Sequence, residues 1–199
     1  SSATVDYGRY FASTFASGRW CRVLNGEAAN VKMWGAKGDL MEGANGFDPT
    51  LIAAATDDTV AIQRALTACS GGANNAPFWT SELLIPASFY KLTNTLVYVA
   101  DHVKIRGEGA YLTKLVMAHG FQKDILRTKN YNDVLAQGYI NYGQYDGFVR
   151  IEDIAFIYAN SAGVPENVSN VHIGICYPQE GNTIRNVFLQ SGGYGIRCF

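Results

Sequence analysis

The sequence predicts an all-β chain built as a solenoid, a stack of short strands closed at one end by a single short helix. Three observations lead there. Helical patterning is confined to TDDTVAIQRALTAC, from Thr56 to Cys69. After Ser70-Gly71-Gly72 only short β-type runs follow, broken by Gly and Asn. Two of those runs recur as matched templates, and repetition of whole strand units is how a stacked architecture writes itself in sequence.

The helix is predicted from its start. Thr56 is a good N-cap, because its hydroxyl can accept from the orphan amides of a first turn. Asp57 and Asp58 then place negative charge at the positive end of the helix dipole. Ile62, Ala65, Leu66 and Cys69 fall at i, i+3, i+4 and i+7 and make one narrow apolar stripe. Such a helix ahead of a run of strands suits a lid, with Ile62 and Leu66 buried against the first strands.

Around this helix lies an ordered set of motifs. Asn30-Val31-Lys32, Trp34-Gly35-Ala36-Lys37-Gly38-Asp39, Asp57-Asp58-Thr59 with Ile62-Gln63, then Leu84-Ile85-Pro86, Phe89-Tyr90 and Val103 to Gly109 follow one another. The set resembles the start of a pectate-lyase-like, right-handed parallel β-helix, closest to the version in bacteriophage tail spikes, over Asn30 to about Met117. Two departures stand out: Leu40 replaces the family's Gly after Gly-Asp, and Met41 to Ala55 stretches the link to Asp-Asp-Thr. The resemblance implies an N-terminal arm (1–29), then a capping helix and first rungs (30–199) of a longer β-helix. No catalytic residue is carried over, since the matching motifs build the cap.

Length and composition fit one domain with a small appendage: 199 residues, 48% hydrophobic and only 17% charged. A net charge of −1 leaves no footprint for nucleic acid or an anionic membrane. No run of 18 apolar residues exists to span a bilayer. SSATVDYGRY lacks the basic start and apolar core of a signal peptide and has no initiator Met, and GYGIRCF stops inside a strand pattern. The chain is therefore expected to be a piece of something longer. Cys21, Cys69, Cys176 and Cys198 show no Cys-x-x-Cys pairing, so no zinc site is indicated, and no metal or cofactor is expected.

Residues 1–29 hold Tyr7, Tyr10, Phe11, Phe15 and Trp20. Gly18 to Leu24 reads as a short strand ending in an Asn25-Gly26 turn. The arm is either a packing element of the parent protein or a docking surface for a neighbouring tail protein. Met41 to Ala55 reads as a surface loop. It lacks the P-loop pattern, and Asp57-Asp58 would repel a phosphate, which argues against nucleotide binding.

From Glu82 the β pattern repeats. Ile151-Glu-Asp-Ile154-Ala-Phe156 and Ile184-Arg-Asn-Val187-Phe-Leu189 share one template, offset by 184 − 151 = 33. Ile173-Gly174-Ile175 and Tyr194-Gly195-Ile196 form a second pair, offset by 194 − 173 = 21, and the loop-like Asn160 to Asn170 accounts for the difference of 12. Ile151, Ile154, Phe156, Ile184, Val187 and Leu189 should face the interior. Glu152 should pair with Arg185, and Asp153 and Asn186 should be bend residues bonded to nearby backbone. A repeat of 21 places Cys198 inside and Cys176 outside, with no bridge between them.

The insertion Arg127 to Gly147 carries Tyr131, Tyr139, Tyr142 and Tyr145, flat apolar rings with polar tips that suit sugars and protein interfaces alike. They are the candidate contacts; a loop packed on its own strands is the alternative. Catalytic residues are unknown. Glycoside hydrolysis needs two carboxyls about 5–9.5 Å apart, and the aligned repeats set Glu152 on Arg185 and Asp153 on Asn186. Glu166 and Glu180 are isolated acids. His102, His119 and His172 are far apart, and no Gly-x-Ser-x-Gly is present.

The resemblance implies a virion protein: a phage tail spike or fibre, trimeric, binding and depolymerising a bacterial surface polysaccharide, and joined through its arm to tail or baseplate proteins. The alternatives are a secreted polysaccharide lyase or C5-epimerase, and a non-enzymatic structural trimer of a tail or baseplate.

Overall fold

Short apolar runs between glycines and asparagines give short strands. Thirteen are present among the residues that the computed structural model describes: 8–13, 19–25, 27–44, 46–69, 82–98, 104–121, 123–138, 148–159, 170–176, 178 and 181–198. β1 (Tyr10–Ala12) and β2 (Arg19–Cys21) form an antiparallel hairpin, and Asn25 takes a left-handed φ of 48° in the turn that follows. Next come β3 (Ala29–Asn30), a 3-10 turn (Val31–Trp34), α1 (Pro49–Ala54) and α2 (Thr59–Cys69). Then follow β4 (Glu82–Leu84), β5 (Ser88–Leu92), β6 (Leu96–Tyr98), β7 (Lys104–Arg106), β8 (Thr113–Met117) and β9 (Leu126–Thr128). The chain continues through α3 (Lys129–Gln137), β10 (Arg150–Tyr158), β11 (Val171–Ile175), β12 (Thr183–Gln190) and β13 (Tyr194–Cys198).

All strand pairs after β2 are parallel, but the expected right-handed parallel β-helix is not what they form. Besides the hairpin there is a seven-stranded sheet, ordered β3-β4-β7-β10-β8-β5 with β12 also on β10, and a separate four-stranded sheet, ordered β13-β11-β9-β6. Both stay open; neither closes or winds into a solenoid. The pairing offsets show why a uniform repeat is missing. Lys104 pairs 22 residues after Glu82 (104 − 82), Arg150 pairs 46 after Lys104 (150 − 104), and Ile184 pairs 33 after Ile151. Insertions of unequal length, some folded as helices, separate the strands.

Side-chain rows build the core. Leu83, Ile105 and Ile151 are paired neighbours and buried, as are Tyr90, Leu115 and Phe156, and Leu96, Leu126 and Ile173. Each buried apolar side chain contributes roughly 1.5–3 kcal/mol. The template register holds: Ile151 pairs with Ile184, Glu152 with Arg185 and Phe156 with Leu189. Ile154 is buried too, while Ile184, Val187 and Leu189 are half-buried, because among the described residues β12 has a neighbour on one side only.

The second register is different. Val171 pairs with Tyr194 and Ile173 with Ile196, an offset of 196 − 173 = 23 and not 21. The matched Ile-Gly-Ile and Tyr-Gly-Ile triplets misled, because the glycines are not partners: Gly174 faces Arg197. The cysteines therefore reverse the expectation. Cys176 is buried, Cys198 is exposed on the edge strand β13, and neither is in a disulfide.

Among the described residues three helices cover the sheets, where one was expected. α2 packs against β3, β4, β6 and the 3-10 turn, and its stripe of Ile62, Ala65, Leu66 and Cys69 is buried. Its Gln63 acts as a missing strand for β6: the side chain takes the Val97 N–H at 2.7 Å and donates to the Val97 carbonyl at 2.8 Å. Thr56 does not cap α2. It gives its N–H and hydroxyl to Asp39 instead, and the Asp58 carbonyl accepts from Ile62 at 3.0 Å.

The stretch read as a surface loop contains α1. Asp48 accepts from Thr50 and Leu51 amides at 2.8 and 3.1 Å, Pro49 opens the first turn, and Lys91 Nζ donates to the Ile52 and Ala55 carbonyls at the far end. Leu40, Phe47, Ile52 and Ala55 then cover the outer side chains Val116, Ala155 and Ile157 of the seven-stranded sheet. The later insertion likewise holds α3, capped by Thr128 at one end and by left-handed Gly138 at the other.

Candidate functional site

Tyr131 was the first candidate contact. It is 1% exposed and belongs to a cluster with Val134 and Cys176 between α3 and β11. Gly174 admits the ring: a Cβ there would come within 2.6 Å of Cε1 of Tyr131. Tyr131 thus anchors α3. Tyr139, Tyr142 and Tyr145 lie outside the described residues.

Exposed aromatic surface gathers elsewhere, where the turn between β7 and β8 meets β10 and β12. The Gly107 and Gly109 amides donate to the carbonyls of Glu152 (2.9 Å) and Asp153 (3.0 Å). A Cβ on Gly107 would sit 2.1 Å from the Asp153 carbonyl oxygen, so only glycine lets the turn approach. Held this way, the turn projects Tyr111, 75% exposed, and Leu112, also exposed. The Tyr111 ring lies 5.8 Å from that of Phe188, tilted by 34°. Phe188, 37% exposed, points outward because Val187 and Leu189 on either side of it pack against the core.

A polar strip continues along the same two strands. Asp153 and Asn186 both take left-handed φ values, 57° and 49°, bending β10 and β12 at one level. The expectation that they bond nearby backbone is replaced by a bond between them, Asn186 Nδ2 to Asp153 Oδ1 at 2.8 Å. One residue earlier, Arg185 reaches Glu152 at 2.8 Å, as the aligned templates require. Beyond lie Lys104, 2.7 Å from Glu82, and Arg106, 2.6 Å from the same carboxylate. Burial pushes Glu82 upward, but these two cations outweigh it and hold its carboxyl below the ordinary range. The face thus offers apolar rings for stacking together with amide, carboxylate and guanidinium groups for hydrogen bonding.

Carboxylates do cluster at one place, the joint between Gly38-Asp39 and the start of α2. Asp58, 1% exposed, accepts from the amides of Lys37 (2.6 Å) and Gly38 (3.0 Å). Burial pushes its carboxyl above the ordinary range; the two amides oppose this, and Asp39 and Asp57 add to it. Asp57 accepts from the Thr59 amide and hydroxyl and from the Thr93 hydroxyl, and Asp39 from the Thr56 amide and hydroxyl. Burial raises both, yet these bonds prevail and leave both below the usual value. Every one of these carboxylates is committed to holding segments together, so the hub is structural. Among the described residues no group of three or more His, Cys, Asp or Glu could hold a metal.

His119 has Nε2 3.2 Å from the Phe47 carbonyl oxygen, and His172 is 2% exposed. His102, Glu166 and Glu180 lie outside the described residues. Sequence reading missed Tyr111 and Phe188 as a pair. One signal was present: Phe188 fills the outward slot of a template whose other copy has Ala155.

No protein-family model, no curated protein and no solved structure matches this chain.

Proposed function

We propose that the chain belongs to a phage tail spike or tail fibre and binds a bacterial surface polysaccharide on the face bearing Tyr111 and Phe188. The observation that carries this reading is the exposed, tilted ring pair, set beside the Asn186–Asp153 and Arg185–Glu152 pairs. The motif order from Asn30 to Gly109 supplies the virion context, by resemblance. The oxygens of the acidic hub accept from backbone and threonine donors and so join the Lys37-Gly38 segment, Thr56 and Thr59.

The test is binding of the purified chain to arrayed capsular and O-antigen polysaccharides, before and after the double change Tyr111→Ala, Phe188→Ala. Ring contacts contribute about 0.5–1.5 kcal/mol each, so the pair should weaken binding roughly 5- to 150-fold. Unchanged affinity in the double variant, with an intact melting transition, defeats the assignment of the face.

A second reading has its own support. Tyr194 and Ile196 expose apolar surface on β13, whose outer edge is unpaired among the described residues. This fits a contact between copies in a structural trimer, with no glycan bound. Light scattering together with the polysaccharide array separates the two readings.

A further inference from the structure

His172 sits where β12 passes into β13, and both of its ring nitrogens meet backbone carbonyl oxygens. Nδ1 lies 2.9 Å from the Tyr194 oxygen and Nε2 lies 2.9 Å from the Gln190 oxygen. A carbonyl oxygen only accepts, so each contact is a hydrogen bond only when the facing nitrogen carries a proton. Neutral imidazole has one N–H and one lone pair; at one of these two contacts it would set lone pair against lone pair. The imidazolium ion has two N–H groups and satisfies both.

Packing fixes the ring in that position. Tyr158 meets it edge-on, with ring centroids 4.9 Å apart. Gly192 lies against the edge of both rings, where a Cβ would fall 2.3 Å from Cε1 of His172 and 2.8 Å from Cε2 of Tyr158. The ring cannot swing away without moving the Ser191-Gly192-Gly193 turn. That turn joins two sheets: β12 pairs with β10 in the seven-stranded sheet, and β13 pairs with β11 in the four-stranded one. A single side chain of β11 therefore grips both ends of the link between them.

Among the described residues, the titratable and charged groups around it come from β10, the Asp124 turn and β13. On β10, Tyr158 has its hydroxyl 3.0 Å from the Lys123 carbonyl and 2.8 Å from the Val171 carbonyl, and burial pushes the phenol up, so it stays neutral. Asp124 accepts the Val171 amide at 2.7 Å and pairs with Arg127 at 2.8 Å. On β13, Arg197 lies over the Tyr194 ring at 5.5 Å.

We propose that His172 is a proton-dependent latch. Doubly protonated, it holds both the Gln190 and Tyr194 carbonyls and keeps β13 laid on β11. On losing a proton it releases one carbonyl, and the link between the sheets loosens. The latched form binds one proton more than the open form, so acid favours the latch and the advantage is lost as the pH rises.

The experiment is amide hydrogen exchange of the segment 190–198 at about pH 5.5 and about pH 8, with intrinsic exchange rates divided out. Protection of this segment should be about tenfold higher in acid, the scale of one charge-assisted hydrogen bond. Segment 104–117 should show no such dependence. His172→Gln, whose amide does not titrate, should abolish the difference. Equal protection at the two pH values, or an equal dependence in His172→Gln, overturns the proposal. Should His172→Gln fail to fold, the ring ¹⁵N signals of the unaltered protein decide. Two protonated nitrogens in acid are expected; a single tautomer throughout overturns the latch.

Discussion

Gly174→Ala tests how α3 is seated. The added methyl would lie 2.6, 2.7 and 2.8 Å from Cε1, Cδ1 and Cζ of Tyr131, whereas ordinary contact begins at 3.4 Å. The ring must retreat by about 0.8 Å (3.4 − 2.6), and it stands in a cluster with Val134 and Cys176 that leaves it little room. Overpacking of this kind costs about 1–3 kcal/mol. Urea unfolding should register that loss.

Thiol labelling should show where it falls. Cys176 shares the cluster with Tyr131, so its labelling should quicken roughly 5- to 150-fold, the same free energy read as an opening equilibrium. Cys69, buried at the end of α2, is the internal control and should not change, while Cys21 and Cys198 are exposed and react at once. Tyr131→Leu combined with Gly174→Ala should give back about 1–2 kcal/mol of coupling, because the smaller side chain makes room for the methyl. Strict additivity of the two changes, or equal acceleration at Cys69 and Cys176, would refute this account of α3.

Three further outcomes are expected. Leu66→Ala removes a buried side chain from the α2 stripe and should cost about 2–5 kcal/mol in urea unfolding; a loss under about 1 kcal/mol would mean that α2 is not a lid. Gly107→Ala drives a methyl to 2.1 Å from the Asp153 carbonyl oxygen, a backbone atom that cannot turn aside, and should cost about 3 kcal/mol or more; it should also displace Tyr111 and so weaken any glycan binding by the face. Acid unfolding should follow Asp39, Asp57 and Glu82: their folded-state pKa values are depressed, so their contribution is present above about pH 4 and is lost as the pH falls through the depressed values. Asp58, raised by burial, acts in the opposite sense, and Asp58→Asn should steepen the acid loss measured by circular dichroism.

Local signals were legible in the sequence. The stripe of Ile62, Ala65, Leu66 and Cys69 marked α2 because a helix repeats every 3.6 residues and buries one face. The template shared by Ile151 to Phe156 and Ile184 to Leu189 gave the pairing of β10 with β12, including the Glu152–Arg185 contact. In that case the match spans six positions, enough to fix a register. The three-residue match around Gly174 and Gly195 was too short, and the pairing settled two residues away, which inverted the two late cysteines.

What no local pattern could decide was where outward side chains go. Val116, Ala155 and Ile157 face away from the main core, and Tyr131 belongs to an insertion, yet all four are buried. α1 and α3, six and nine residues long, are too short to announce themselves by propensity. They exist because the sheets offer apolar ground to cover, and they are pinned there by Lys91 and by the notch at Gly174. The same holds for Tyr111 and Phe188, 77 positions apart (188 − 111) in the chain and brought to 5.8 Å only by the approach of Gly107 to Asp153. Periodicity determines which side chains an element buries on its own sheet; contact between elements distant in sequence determines which of the remainder are left facing water.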